Sequence, residues 1–196
     1  TEYYDPNNIN KKERTKFFSK LKIEPGKKII LMPGRLTEWK GQELLIDSLN
    51  ILKTNFGYKN FVAIILGSDQ GRDTYKKKLF RLVEQHRLNN DVIFLEHANS
   101  MPVAYSIANV VISASIEPEA FGRVSVEAQS MKRPIIASDI GGSKETIIDN
   151  RTGLLFKSED PKSLSEKIDN IFRSDDTTLN AMGNSGRKNV EQKFNV

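Results

Sequence analysis

Arg35 and Lys40 stand five residues apart, bracketed by Gly34 and Gly41 and followed by a helical pattern. Glycine allows close backbone approach, a helix N-terminus favours an anion, and two cations at this spacing could clamp a diphosphate. The plainer alternative is a solvated turn with two exposed bases. A second group is Glu119 and Glu127, eight residues apart. Glu119 falls in a loop, and Glu127 falls about one turn inside the next helix, among Val124, Val126 and Ala128. A carboxylate in apolar company is costly unless it accepts hydrogen bonds, which a pair of ribose hydroxyls would supply. Phe121-Gly122-Arg123-Val124 would open that helix with unpaired amides, suited to sugar oxygens or a phosphate. Here the plainer alternative is a helix-capping Glu119 and a solvent-facing Glu127.

These residues need a frame. Apolar runs occur at Ile29–Met32, Phe61–Leu66, Val92–Leu95, Val110–Ser113, Ile135–Ala137 and Gly153–Phe156. Short, nearly continuous runs of this kind suit strands buried on both faces. Helical stripes fill the gaps: Leu45, Leu49 and Leu52; Leu79, Leu82 and Val83; Leu164, Ile168, Ile171 and Phe172. Asn10 with Glu13, Ser100 with Pro102, and Asp160-Pro161 read as helix starts. A terminal helix runs from Thr177 to Phe194, weakened by Gly183 and Gly186 at about 1 kcal/mol each. The alternation predicts a Rossmann-like α/β domain of three layers around a mainly parallel six-stranded sheet.

In such a sheet ligands bind beyond the carboxyl ends of the strands. The unusual residues collect there, in the loops Gly34–Gly41, Gly67–Arg72, Glu117–Arg123 and Ser138–Ser143.

Composition removes other chemistries. The chain has no cysteine and two histidines, so disulfides, thiolate metal sites and a cysteine nucleophile are excluded. Neither a Walker A loop nor a Gly-x-Gly-x-x-Gly fingerprint occurs. A net charge of +5 is mildly basic. Aromatic residues do not alternate with bases, and no nucleic-acid motif is present. No apolar run approaches a membrane span. The chain opens on Thr1 without a secretory h-region, and reads as a piece or a processed chain from a reducing compartment.

Gly34-Arg35-Leu36 with Lys40-Gly41, and the Glu-x7-Glu pattern from Glu119 to Glu127 around Phe121-Gly122, together resemble a retaining glycosyltransferase of family 4. Ala128-Gln129, Pro134–Ala137, Gly141-Gly142, Glu145 and Asn150–Gly153 continue that family's pattern in order, so the resemblance spans about Ile29 to Phe156. It implies one half of a GT-B architecture. Residues 1–196 would be the C-terminal domain that binds the donor, a nucleotide-diphosphate sugar, and the N-terminal acceptor domain would be missing. Arg35 and Lys40 would hold the diphosphate and stabilise the leaving group. Glu119 would bond the transferred sugar, helped by amides near Phe121, Gly122, Arg123 and Val124. Glu127 would take the ribose. Gly67 would let the backbone pass close to the nucleotide, and the turn at Ala98 would border the base. No metal or other cofactor is expected. The setting implied is bacterial surface polysaccharide or lipopolysaccharide synthesis, in the cytoplasm or at the inner face of the membrane. The domain alone is not expected to transfer sugar efficiently.

Two rivals stand beside this reading. One is a non-enzymatic nucleotide-diphosphate binding remnant of a truncated gene. The other is an epimerase of related fold, which needs an acid/base histidine and carboxylate pair that cannot be placed. His97 is expected as a satisfied loop residue, His86 as a surface residue near a helix end, and Trp39 as a packing lid. Lys76–Lys78 is expected as a solvated face. The eight bases among Lys11–Lys28 could touch anionic lipid, or be merely solvated.

Overall fold

The computed structural model describes residues 2–71 and 73–194. Arg72, at the end of the second loop named above, and the Asn195–Val196 end lie outside them. Six strands form one sheet: β1 (Lys28–Pro33), β2 (Phe61–Leu66), β3 (Val92–Leu95), β4 (Val110–Ser113), β5 (Ile135–Ser138) and β6 (Leu154–Phe156). Their order is β3-β2-β1-β4-β5-β6, and each neighbouring pair is parallel. The helices are α1 (Lys11–Lys20), α2 (Gln42–Thr54), α3 (Asp73–Gln85), α4 (Met101–Ile107), α5 (Arg123–Ser130), α6 (Ser143–Thr146), α7 (Pro161–Arg173) and α8 (Asp176–Lys193).

The pleat explains the apolar runs. Ile30, Met32, Ala63 and Ile65 enter one core with Leu45, Leu49, Leu79 and Ile168 from α2, α3 and α7. Their neighbours Ile29, Leu31, Val62 and Ile64 enter the other core, with Leu21, Tyr105 and Ala128. Alternate side chains leave opposite faces, and helices cover both, so a strand here has no polar face. Each fully buried Leu or Ile contributes roughly 1.5–3 kcal/mol.

Helix ends follow local chemistry. Asn10 Oδ1 accepts from the amides of Lys12 (2.9 Å) and Glu13 (3.4 Å), and Asp160 Oδ1 accepts from that of Ser163 (3.0 Å). α8 continues unbroken through the glycines counted against it. Gly183 lies against the 131–133 turn, where an added Cβ would sit 2.4 Å from the Lys132 carbonyl oxygen. Lost helix propensity is offset by close docking, with Met182 and Val190 buried alongside.

The strand order reverses between β1 and β4. Connections from these two strands diverge to opposite faces and leave a crevice at their carboxyl ends. The loops after β1 and β4 form its walls.

Candidate functional site

The loop after β1 is shaped from behind. Gln42, buried at the start of α2, donates from Nε2 to the Arg35 carbonyl (2.8 Å) and accepts from the Tyr75 hydroxyl of α3 (3.1 Å). A single 3-10 turn, Glu38–Lys40, then brings Lys40 over the Trp39 ring, with Nζ 4.4 Å from the ring centroid. The Ile116 amide donates to the Trp39 carbonyl (2.8 Å), fastening this loop to the one after β4.

Across the crevice Lys40 Nζ reaches Glu119 Oε1 at 2.7 Å, and both side chains are largely buried. The Ser115 hydroxyl donates to the same oxygen. The Gly142 amide, after β5, donates to the Glu119 backbone carbonyl (2.7 Å), so a third loop holds the main chain beneath this carboxylate. Glu119 is therefore not a helix cap. The N-cap of α5 is Gly122 in the left-handed region, and it makes no side-chain capping bond. The first-turn amides of Arg123 and Val124 thus receive no side-chain acceptor from the cap residue, among the described residues. One turn further on, Glu127 Oε2 accepts from the Tyr105 hydroxyl of α4 (2.7 Å) and is only half exposed, not solvent-facing.

A hollow of about 420 Å³ gathers Arg35, Lys40, Glu119, Arg123, Val124 and Glu127, with Gly34 in its wall. A second hollow of about 260 Å³ shares Gly34, Arg35 and Met101 with it and extends past Gly67 to His97 and Ala98. The two hollows lie side by side at the strand ends, with Gly34 and Arg35 between them, as the two parts of one groove. Lys40 and Glu119 satisfy one another. Arg35 and Arg123 are exposed and have no ion pair among the described residues, and set against the one carboxylate of Glu127 they leave the groove net positive. Such a surface suits an anion at one end and a neutral polar body beside it.

Other expectations need correction or addition. Gly67 lines the second hollow, as a glycine beside the nucleotide would, and it also has a structural reason to be glycine: an added Cβ would lie 1.9 Å from the Gly34 carbonyl oxygen. Gly41 packs behind the site against Ala114, and Phe121 is exposed with its ring edge-on to Phe194 (5.5 Å). Gly41, Phe121 and Gly122 do not line the hollow; they shape its borders. Trp39 is a wall of the hollow rather than a lid. His86 is paired, with Nε2 2.8 Å from Asp47 Oδ1. Lys77 and Lys78 are exposed, as a solvated face requires, but Lys76 bridges Asp69 (3.1 Å) and Glu96 (3.0 Å) and Lys78 also reaches Glu43 (2.8 Å), so two of the three tie elements together.

Sequence reasoning missed Gln42, Tyr105, Ser115 and Tyr4. Only Tyr105 left a signal, as a phenol inside the apolar stretch Pro102–Ile107. Among the described residues, no three His, Asp or Glu side chains gather closely enough to hold a metal ion. No helix among them is long and apolar enough to cross a membrane.

Comparison with known proteins gives this geometry a family. A model described as Glycosyl transferases group 1 matches residues 13–189. The chain belongs to the glycosyl transferases group 1 family. Its fold is that of the glycosyltransferase domains it superimposes on. A glycosyltransferase from Rickettsia africae ESF-5 aligns with a TM-score of 0.92 and 32% identity, covering 98% of this chain and 50% of that one. Anabaena Alr3699/HepE in complex with UDP-glucose aligns with a TM-score of 0.88 and 26% identity, covering 97% and 51%. The capsular polysaccharide biosynthesis glycosyltransferase CapM of Staphylococcus aureus is 30% identical over 161 residues, 82% of this chain and 40% of its own length. The chain thus spans about half the length of the relatives it matches.

Proposed function

We propose that residues 1–196 form the C-terminal, donor-binding domain of a retaining glycosyltransferase of family 4. The donor is a nucleotide-diphosphate sugar lying along the groove. The observation that carries this reading is the single hollow uniting Arg35, Lys40, Glu119, Arg123 and Glu127 at the reversal of strand order.

In transfer, the bond from the anomeric carbon to the diphosphate oxygen breaks, the nucleoside diphosphate departs with the electron pair, and an acceptor hydroxyl oxygen bonds to the same face of that carbon while its proton passes to the departing diphosphate. Arg35 and Arg123, with the amides opening α5, face the charge that develops there. Lys40 neutralises Glu119, and the ammonium N–H groups that Glu119 leaves free can still donate to the diphosphate. Glu119, restrained by Lys40 and Ser115, offers its remaining acceptor capacity to sugar hydroxyls. Glu127 takes the ribose. These side chains meet the leaving group's charge without calling on a metal ion. The relatives it matches are about twice as long, and the acceptor site falls, on this reading, in the half that this chain does not span, so the domain by itself is a binder rather than an efficient transferase.

Likeness to CapM, a capsular polysaccharide biosynthesis glycosyltransferase, supports surface polysaccharide assembly as the setting. The bound UDP-glucose of Anabaena HepE supports the class of donor. A position on the cytoplasmic side, against an anionic membrane face, is supported by α1. Its Lys11, Lys12, Arg14, Lys16 and Lys20 are exposed and have no ion-pair partner among the described residues. Calorimetry with UDP, GDP and ADP tests the reading. Arg35→Ala with Lys40→Ala should weaken the diphosphate more than about tenfold while sparing the nucleoside. Equal diphosphate affinity in that variant overturns the assignment.

A further inference from the structure

Glu127 already has company on the side away from the solvent. Tyr105 is fully buried on α4, and its hydroxyl donates to Glu127 Oε2 at 2.7 Å. Tyr4, in the segment before α1, lines the hollow beside Glu127, and its ring meets Tyr105 edge-on at 5.8 Å. Its side chain also faces the Glu127 carboxylate, whose charge adds to burial in holding the Tyr4 phenol protonated.

Tyr4 is held from outside the site. Arg187 of α8 donates from Nη1 to the Tyr4 carbonyl (2.7 Å) and to the Ser130 carbonyl at the end of α5 (2.9 Å), and its Nη2 lies 3.5 Å from Asp5 Oδ2. Tyr4 also lies outside residues 13–189, the part that matches the family model.

We propose that Tyr105 and Tyr4 are positioning residues, two phenol donors that fix Glu127 as an oriented carboxylate whose remaining acceptor sites meet the ribose diol. This rests on the donor-binding reading above. An ionised carboxylate has about four acceptor sites, and two phenols leave about two, one for each hydroxyl of a cis-diol. A buried phenol must donate to something, and Tyr105 therefore penalises any Glu127 rotamer that abandons it. Burial, and then the charge of Glu127, push both phenols above their ordinary 10, so both keep the proton they donate. Tyr4 has the further consequence that the segment entering the domain participates in ribose recognition.

The test compares UDP, GDP and ADP with their 2′,3′-dideoxy counterparts by calorimetry, on the wild type, Tyr105→Phe and Tyr4→Phe. The ratio of ribo to dideoxy affinity should fall about fivefold in each variant, with dideoxy affinity changed less than about twofold. Tyr4→Phe lies at a half-buried position and keeps the ring, so it provides the readout if Tyr105→Phe folds poorly. An unchanged ratio, or equal weakening of both ligands, makes the tyrosines packing residues and overturns the proposal. If the wild type binds no nucleoside diphosphate, the donor-site reading itself fails. If it binds them with no ribose preference, only the Glu127 assignment and this proposal fail.

Discussion

Lys40 and Glu119 meet at 2.7 Å across the point where the sheet reverses its strand order. The contact joins the loop after β1 to the loop after β4, 79 residues apart in sequence. It converts an expected cation and an expected anion into one neutral, rigid partition between two parts of the groove. Each would be costly alone, because removing one partner strands a largely buried charge.

Lys40→Met should therefore cost about 1–3 kcal/mol in denaturant unfolding, and Glu119→Gln about 1 kcal/mol, since the amide still accepts from Lys40. The double variant should recover part of the sum, with a coupling near 1 kcal/mol. A coupling of zero would mean that the pair contributes nothing as a pair.

Arg35 and Arg123 are the groove's unpaired cations, and they should set its affinity for diphosphate. Either change to Ala should weaken a nucleoside diphosphate about tenfold and leave its nucleoside unaltered. The wild-type preference for diphosphate over nucleoside should shrink as salt rises. A salt-independent preference would count against these two side chains as its source.

Gly67 separates structural from ligand-contacting glycines. An added Cβ would fall 1.9 Å from the Gly34 carbonyl oxygen, so Gly67→Ala must push β1's loop aside. The variant should lose about 2–4 kcal/mol and about 5–15 °C in Tm without any nucleotide present. Unaltered melting with weakened nucleotide binding would mean that Gly67 serves the ligand alone.

Acid should loosen α7 and α8 first. Asp160 and Asp175 cap these helices, Asp175 Oδ1 accepting from the Thr178 amide at 2.7 Å. Backbone amides, foremost those of Ser163 and Thr178, hold both carboxyls below their ordinary 3.8. A depressed folded value means stability that is present above the unfolded value and lost as pH falls through the folded one. Asparagine caps equally well without titrating. Asp160→Asn with Asp175→Asn should thus flatten the fall in Tm below about pH 4, and parallel curves for the two proteins would refute the caps' role.

The frame was legible because its signals are local. A strand covered on both faces must be apolar throughout, and β2, β3 and β4 have the bounds that their apolar runs suggest. Arg35, Lys40, Glu119 and Glu127 were also legible, since each sits in a loop or at a helix start whose chemistry is unusual for its place. Their partnerships were not. Nothing near Lys40 announces Glu119, and nothing near Glu127 announces Tyr4; those contacts exist only once β1 lies beside β4 and the opening segment has folded back. Gln42 was missed, and Gly183 was read only as a helix weakness, for the same reason: their roles are set by a carbonyl elsewhere in the chain.

Amide chemical-shift mapping of the labelled chain during titration with UDP, GDP and ADP tests the central claim most directly. Shifts confined to the Gly34–Lys40 loop, the turn at Ala98 and the Glu119–Val124 segment are the predicted result. Shifts clustered instead on α1 or α7, with those three segments silent, would contradict it.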